Sequence, residues 1–174
     1  MKLKKSCLVL LALAITAMPV QSWAETPEQL QDQAEGKELI TAQLEVMQIA
    51  IAPIAGKTED VPALAKSAGA AIDKVLAKNP NSLDGLSVSC NLKIMQEDRS
   101  ASVTCPKAIA VVSDRITTYP DTARYYKHRS YLYKMTGKKD LAEADLTEAY
   151  RLTKDVKEKA RLKKDLDRMA AKPD

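Results

Sequence analysis

Apolar residues recur at helical spacing along most of the chain. Leu30, Ala34, Ile40, Leu44, Met47, Ile51 and Ile54 are separated by multiples of three and four, with Glu35, Lys37, Glu38 and Glu45 turned the other way. The pattern predicts one helix that opens at Thr26-Pro27-Glu28-Gln29: Thr26 caps, Pro27 takes the first helical position and Gln29 bonds back to the cap. Pro53 and Gly56 end or bend it. A second helix opens near Asp60-Val61-Pro62, buries Leu64, Ala68, Ile72 and Val75, and stops at Asn79-Pro80, so that the two form a hairpin.

Residues 82 to 120 admit two readings. The favoured one is a helix from Leu83 to Met95, a loop, and a helix from Pro106 to Thr118, because Ala108, Val111, Val112 and Ile116 keep helical spacing. In the other, residues 86 to 105 are a β-hairpin around the polar turn Gln96-Glu97-Asp98-Arg99-Ser100. Beyond Pro120, Asp121 caps a helix to Thr136, Gly137 supplies the reversal, and Asp140 opens a helix to Thr153. From Asp155 to Ala171, Val156, Ala160, Leu162, Leu166 and Met169 make a narrow stripe. Lys154 with Glu158, Arg161 with Asp165 and Lys163 with Asp167 stand four apart, as on a solvated capping helix. The fold class expected is all-α, stacked helical hairpins closed by a C-terminal helix.

The chain's beginning changes the compartment. Residues 1–24 combine Lys2, Lys4 and Lys5, an apolar run from Cys7 to Met18, and Ser22-Trp23-Ala24, the three parts of a secretory signal cleaved after Ala24. The run is short of the ~20 residues a membrane span needs, so no stable membrane anchor is expected and the location is periplasmic or secreted. The remaining 25–174 is one domain by length. Its 27 minus 3 basic groups against 23 acids leave a net charge of +1, which argues against nucleic acid as a partner. Cys90 and Cys105 then form an even pair in an oxidising compartment, and the default is a disulfide; a redox pair would favour Cys-x-x-Cys and a metal site more Cys or His ligands.

Pro80 and Pro120 are 40 residues apart, and each follows a helix with a small residue and larger ones beyond it: Ala68, Ile72 and Leu76, then Ala108, Val112 and Ile116. Residues 121–154 hold the clearest copy. Tyr126, Tyr133, Gly137, Ala142, Leu146 and Ala149 stand in the order of a tetratricopeptide repeat, which this segment resembles; Arg129, Ser130 and Lys154 depart from its usual leucine, glycine and proline. The resemblance implies a groove lined by the first helix of each pair, placing Arg124, Lys127, Tyr131 and Lys134 inward and His128 at the rim. Three cations around a tyrosine suit an acidic protein or peptide segment, although each also reads as an ordinary solvated side chain. Tyr126 and Tyr133 read as core.

For catalysis the chain offers little: His128 stands alone, and there is no Gly-x-Ser-x-Gly, phosphate-cradling loop or His-Glu-x-x-His. Asp140, Glu143, Asp145 and Glu148 describe the wet side of a helix better than paired catalytic acids. The function expected is therefore a non-enzymatic adaptor that binds a protein or peptide and needs no cofactor. The alternative is an envelope enzyme or small-ligand carrier with a site among the N-terminal helices, around Met47, Ile49 and Ile51; a homodimer through that apolar stripe also stands open. Charge is uneven: residues 25–60 hold eight acids and two bases, residues 99–174 eighteen bases and eleven acids, as suits pairing of the two ends or an acidic partner.

Overall fold

The computed structural model describes residues 25–171; the proposed signal lies outside them. Among the described residues there are eight helices and no strand. They are α1 Pro27–Glu38, α2 Ile40–Ala55, α3 Val61–Lys78, α4 Leu83–Met95, α5 Ala101–Thr118, α6 Ala123–Met135, α7 Lys139–Leu152 and α8 Val156–Ala170. Helices α2/α3, α4/α5 and α6/α7 form three hairpins stacked in chain order, the first helices α2, α4 and α6 side by side, and α8 packs on α7. The β-hairpin reading of residues 86–105 is replaced by the two helices α4 and α5, joined by Cys90–Cys105 with Cα atoms 4.9 Å apart.

One turn device is used three times. Gly56, Glu97 and Gly137 take left-handed backbone conformations, with φ of 67°, 54° and 75°. The following amides of Lys57, Asp98 and Lys138 each donate to a carbonyl five residues back, Ala52, Lys93 and Tyr133, at 3.0, 2.9 and 2.8 Å. This is a helix-ending reversal that favours glycine at the left-handed position. The connections between hairpins also repeat: Ser82 N–H donates to Asn79 O at 3.0 Å, and Thr122 N–H to Tyr119 O at 3.2 Å. The repeat is longer than the roughly 34 residues of a tetratricopeptide repeat. The extra length lies in the second helices, since α3 and α5 have 18 residues each against 14 in α7.

Small residues let neighbouring helices approach while larger ones fill the space between them. Ala68, Ile72 and Val75, then Ala108, Val112 and Ile116, then Ala142, Leu146 and Ala149 are all buried, as their spacing implies. Helix α4 lies at the centre, with every residue from Leu83 to Cys90 buried. Cys90 is matched 40 residues on by Ser130, whose Oγ donates to Ala142 O at 2.6 Å. A covalent tie in one hairpin thus corresponds to a hydrogen bond in the next.

Four expectations are corrected. The first helix is two: the chain breaks at Leu39, and α1 and α2 meet at 53°. The core face of α2 is Leu39, Ala42, Val46, Ile49 and Ala52, and the stripe Ile40, Leu44, Met47, Ile51 and Ile54 faces solvent, because α2 is apolar on both sides and its smaller residues allow the close approach to α3. Helix α5 begins at Ala101 and carries Pro106 inside it, exposed, where its missing N–H interrupts a single bond. Helices α6 and α7 start from Thr122 and Lys138, neither with a side-chain cap bond. Among the tyrosines Tyr125 is deeply buried, 1% exposed, while Tyr126, half-buried, packs against the core as expected and Tyr133 is half-buried.

Candidate functional site

Helix α1 lies across the ends of the hairpins. Thr26 caps it: its Oγ1 accepts from Gln29 N–H at 3.2 Å while Gln29 Oε1 accepts from Thr26 N–H at 2.9 Å. Glu28, Asp32 and Glu35 follow at steps of four and three, so one face carries three carboxylates. Asp32 is the only residue of α1 that is fully buried. The helix is therefore held by polar contacts, with Leu30 left exposed.

The stack supplies the partners from equivalent places in successive repeats. Arg115, near the end of α5, reaches both Glu28 and Asp32, its Nε donating to Asp32 Oδ2 at 3.2 Å. Tyr125, in the first turn of α6, donates to the same oxygen at 3.0 Å. Tyr119 donates to Glu28 Oε2 at 2.8 Å and accepts from Thr26 Oγ1 at 3.2 Å. Arg124 donates from one terminal nitrogen to Asp32 O at 3.1 Å and to Asp84 Oδ2 at 2.7 Å. Asn79 donates to Glu35 Oε1 at 2.9 Å. Gly36 passes so close to Asp84 that a Cβ there would stand 2.6 Å from Oδ2. Arginines and tyrosines thus meet carboxylates by charge-assisted hydrogen bonds in a site mostly withdrawn from water.

Burial governs the protonation of this cluster. Desolvation pushes Asp84 up to about 6 against the pull of Arg124, with the charges of Asp32 and Glu35 adding to the rise. His128 Nε2 lies 3.5 Å from Asp84 Oδ1. Burial, then the cations Arg124 and Lys127, push its imidazole down to about 3, so it is neutral at ordinary pH. Tyr125 is raised by burial and by the Asp32 charge beside it. Arg115 is held charged by Asp32 and Glu28 despite its partial burial.

The four residues placed inward by the sequence lie along α6, but their situations differ. Arg124 belongs to the buried cluster. Lys127 pairs with Glu158 of α8. Tyr131 is exposed and accepts a hydrogen bond from Asn91, the residue 40 positions earlier on α4. Lys134 is exposed one turn further on. Asp84 with Arg124 and Asn91 with Tyr131 are both contacts between positions 40 apart, so α4 and α6 present one continuous face: α1 covers one half, and Asn91, Tyr131 and Lys134 mark the other.

Sequence reasoning missed the acids. Asp32 sits between two glutamines and carries no signal of burial, whereas Asp84, between Leu83 and Gly85, is an acid in an apolar stretch. Asp145, read as solvated, is buried and takes both oxygens to Arg129, at 2.7 and 2.8 Å. Arg129 in turn stacks near Tyr126 and Tyr133, at 6.0 and 5.8 Å from their ring centres. The departure from leucine at 129 was the available clue. His128, expected at a rim, is half-buried against Asp84.

Other chemistry finds less. Met47 and Ile51 face outward while Ile49 lies in the core, so the three do not line one N-terminal site. Among the described residues no three His, Cys, Asp or Glu side chains are grouped to hold a metal, and no single helix is long and apolar enough to cross a membrane. Comparison with protein-family models, with curated proteins and with solved structures finds no match for this chain.

Proposed function

We propose that the protein is a non-enzymatic adaptor of the cell envelope, periplasmic or secreted, that holds a carboxylate-bearing protein segment on the face shared by α4 and α6. The observation that carries this reading is internal: that face already holds an acidic helix, α1, through Asp32, whose carboxylate accepts from Tyr125 and whose carbonyl accepts from Arg124, both on α6. A surface built from Arg, Lys and Tyr on rigid helices keeps its donors in register, which favours carboxylates without further ordering. Tyr131 and Lys134 extend the donor row past the end of α1, and the resemblance of residues 121–154 to a tetratricopeptide repeat supports a peptide as the guest. The export signal supports the compartment, and the Cys90–Cys105 bond suits it.

The test is a photo-reactive side chain placed at Tyr131 in the protein made by its own cells, with the same group at exposed Ala63 on α3 as control. The reading expects a discrete adduct from position 131 that is lost when Lys134→Glu is added, and none from position 63. Adducts equal at both positions, or unaffected by Lys134→Glu with Lys127→Glu, would sink it.

A further inference from the structure

The outer face of α2 is apolar, open and free of charge. Ile40, Leu44, Met47 and Ile51 are each more than half exposed and Ile54 is 89% exposed. Their steps are four, three, four and three, the a and d spacing of a coiled-coil seam. The seam is flanked by Thr41, Gln43, Gln48, Ala50 and Ala55, none of them ionisable. Glu45, the one charged residue in α2, turns away to accept from Ser67 Oγ on α3 at 2.7 Å.

This face is the first end of the stack. A repeat array needs a polar outer surface on its terminal elements, and the other end has one: α8 shows Lys163, Asp165, Asp167 and Arg168 to solvent, paired among themselves. Among the described residues no such cap covers α2, because α1 bends away at Leu39 to pack on α4 and to bond Arg124 and Tyr125 of α6. The break at Leu39 is what leaves the seam bare.

The geometry points to a second copy of this chain as the occupant, α2 pairing with α2 about a two-fold axis. Three features choose that partner. The alternation of four and three matches that of a second helix with the same seam. Uncharged flanks let two identical faces meet without like charges opposing each other, as interface centres depleted of charge do. A helix lying on lipid would carry Lys or Arg beside its apolar stripe, and α2 has neither. Two stacks joined in this way form one longer array, with the α4 and α6 face of each copy still open. The proposal does not depend on the adaptor reading.

Sedimentation equilibrium of the purified protein tests it. The expected result is twice the chain mass at micromolar concentration. Leu44→Glu with Ile51→Glu should give a monomer, with the dissociation constant raised about 100-fold or more, since each copy would have to bury unpaired carboxylates. The helical circular dichroism should be unchanged, because both positions are outside the core. Met47→Cys should cross-link to its own counterpart under mild oxidation while Lys66→Cys on α3 does not. A monomer at high micromolar concentration would overturn the proposal, as would a dimer that survives the double substitution. So would a monomer that binds vesicles of mixed neutral and anionic lipid through the same residues.

Discussion

Tyr125 donates its hydroxyl to Asp32 Oδ2 at 3.0 Å, joining residues 93 apart in sequence and fixing α1 to the start of α6. Arg115 reaches the same oxygen at 3.2 Å. A buried ion pair is weak evidence of net stability but strong evidence of position, because removing one partner leaves the other uncompensated. Tyr125→Phe should cost about 1 kcal/mol and Asp32→Asn about 2 kcal/mol. In the double variant the two losses should fall short of their sum by up to about 1 kcal/mol. Urea denaturation of the four proteins measures this; strict additivity would contradict a direct bond.

The pair Asp84 and His128 predicts opposing pH responses. Asp84 rises from 3.8 to about 6 on folding, so its burial is most favourable when protonated, and that contribution is lost as pH rises through 6. His128 falls from 6.5 to about 3, so the stability tied to its neutral form is present above 6.5 and lost as pH falls through that value. Between pH 7 and 5 the first gains about 1 kcal/mol and the second loses about 2 kcal/mol. Wild-type stability should therefore fall by about 1 kcal/mol across that window, less than the histidine alone would cause. Thermal melts should show Asp84→Asn falling more steeply than wild type toward pH 5, and His128→Gln rising. The same slope in both variants would contradict the assignment.

Cys90 and Cys105 close a loop of 15 residues between α4 and α5. In the chain-entropy account such a loop contributes about 3 kcal/mol. Reduction, or Cys90→Ser with Cys105→Ser, should lower the unfolding midpoint in urea without changing the helical spectrum at low denaturant. An unchanged midpoint would mean that the packing of Ala108 and Val112 alone holds the hairpin.

Glu97 stands at a left-handed position, φ 54°, where the two equivalent turns use Gly56 and Gly137. A side chain there costs about 1 kcal/mol relative to glycine. Glu97→Gly should accordingly stabilise the protein by roughly 0.5 to 1 kcal/mol, seen as a raised melting temperature. A lower temperature would show that Glu97 makes a compensating contact.

Much of this fold is legible in the residues. Alanines at 68, 108, 142 and 149, Gly137 at its reversal, prolines at 80 and 120 and the cysteine pair each state a local requirement that the stack meets. Helix α2 was misread for a physical reason: Ile40, Leu44, Met47, Ile51 and Ile54 form a larger apolar stripe than Ala42, Val46, Ile49 and Ala52, and periodicity cannot choose between two apolar faces. The choice is made by the neighbour, since Leu39, Ala42, Val46 and Ile49 pack in one cluster with Ala65, Ala68, Ile72 and Val75 of α3. The candidate site was legible only in part. Arg124 was singled out by the resemblance of residues 121–154 to a repeat and lies in the buried cluster, but Asp32, Asp84 and Asp145 are buried by partners elsewhere in the chain, and an acid gives no sign of burial until Arg115, Arg124 and Arg129 are placed beside it.

If the face of α4 and α6 recognises a carboxylate-bearing helix, α1 is its resident example. The most direct measurement is calorimetric titration of a peptide of residues 25–38 into the full-length protein carrying Asp32→Asn, in which the resident helix is loosened. Binding should saturate and weaken as salt is raised, be weaker to the wild-type chain, and be lost when the peptide carries Asp32→Asn. Equal binding of both peptides, or none to the Asp32→Asn protein, would contradict it.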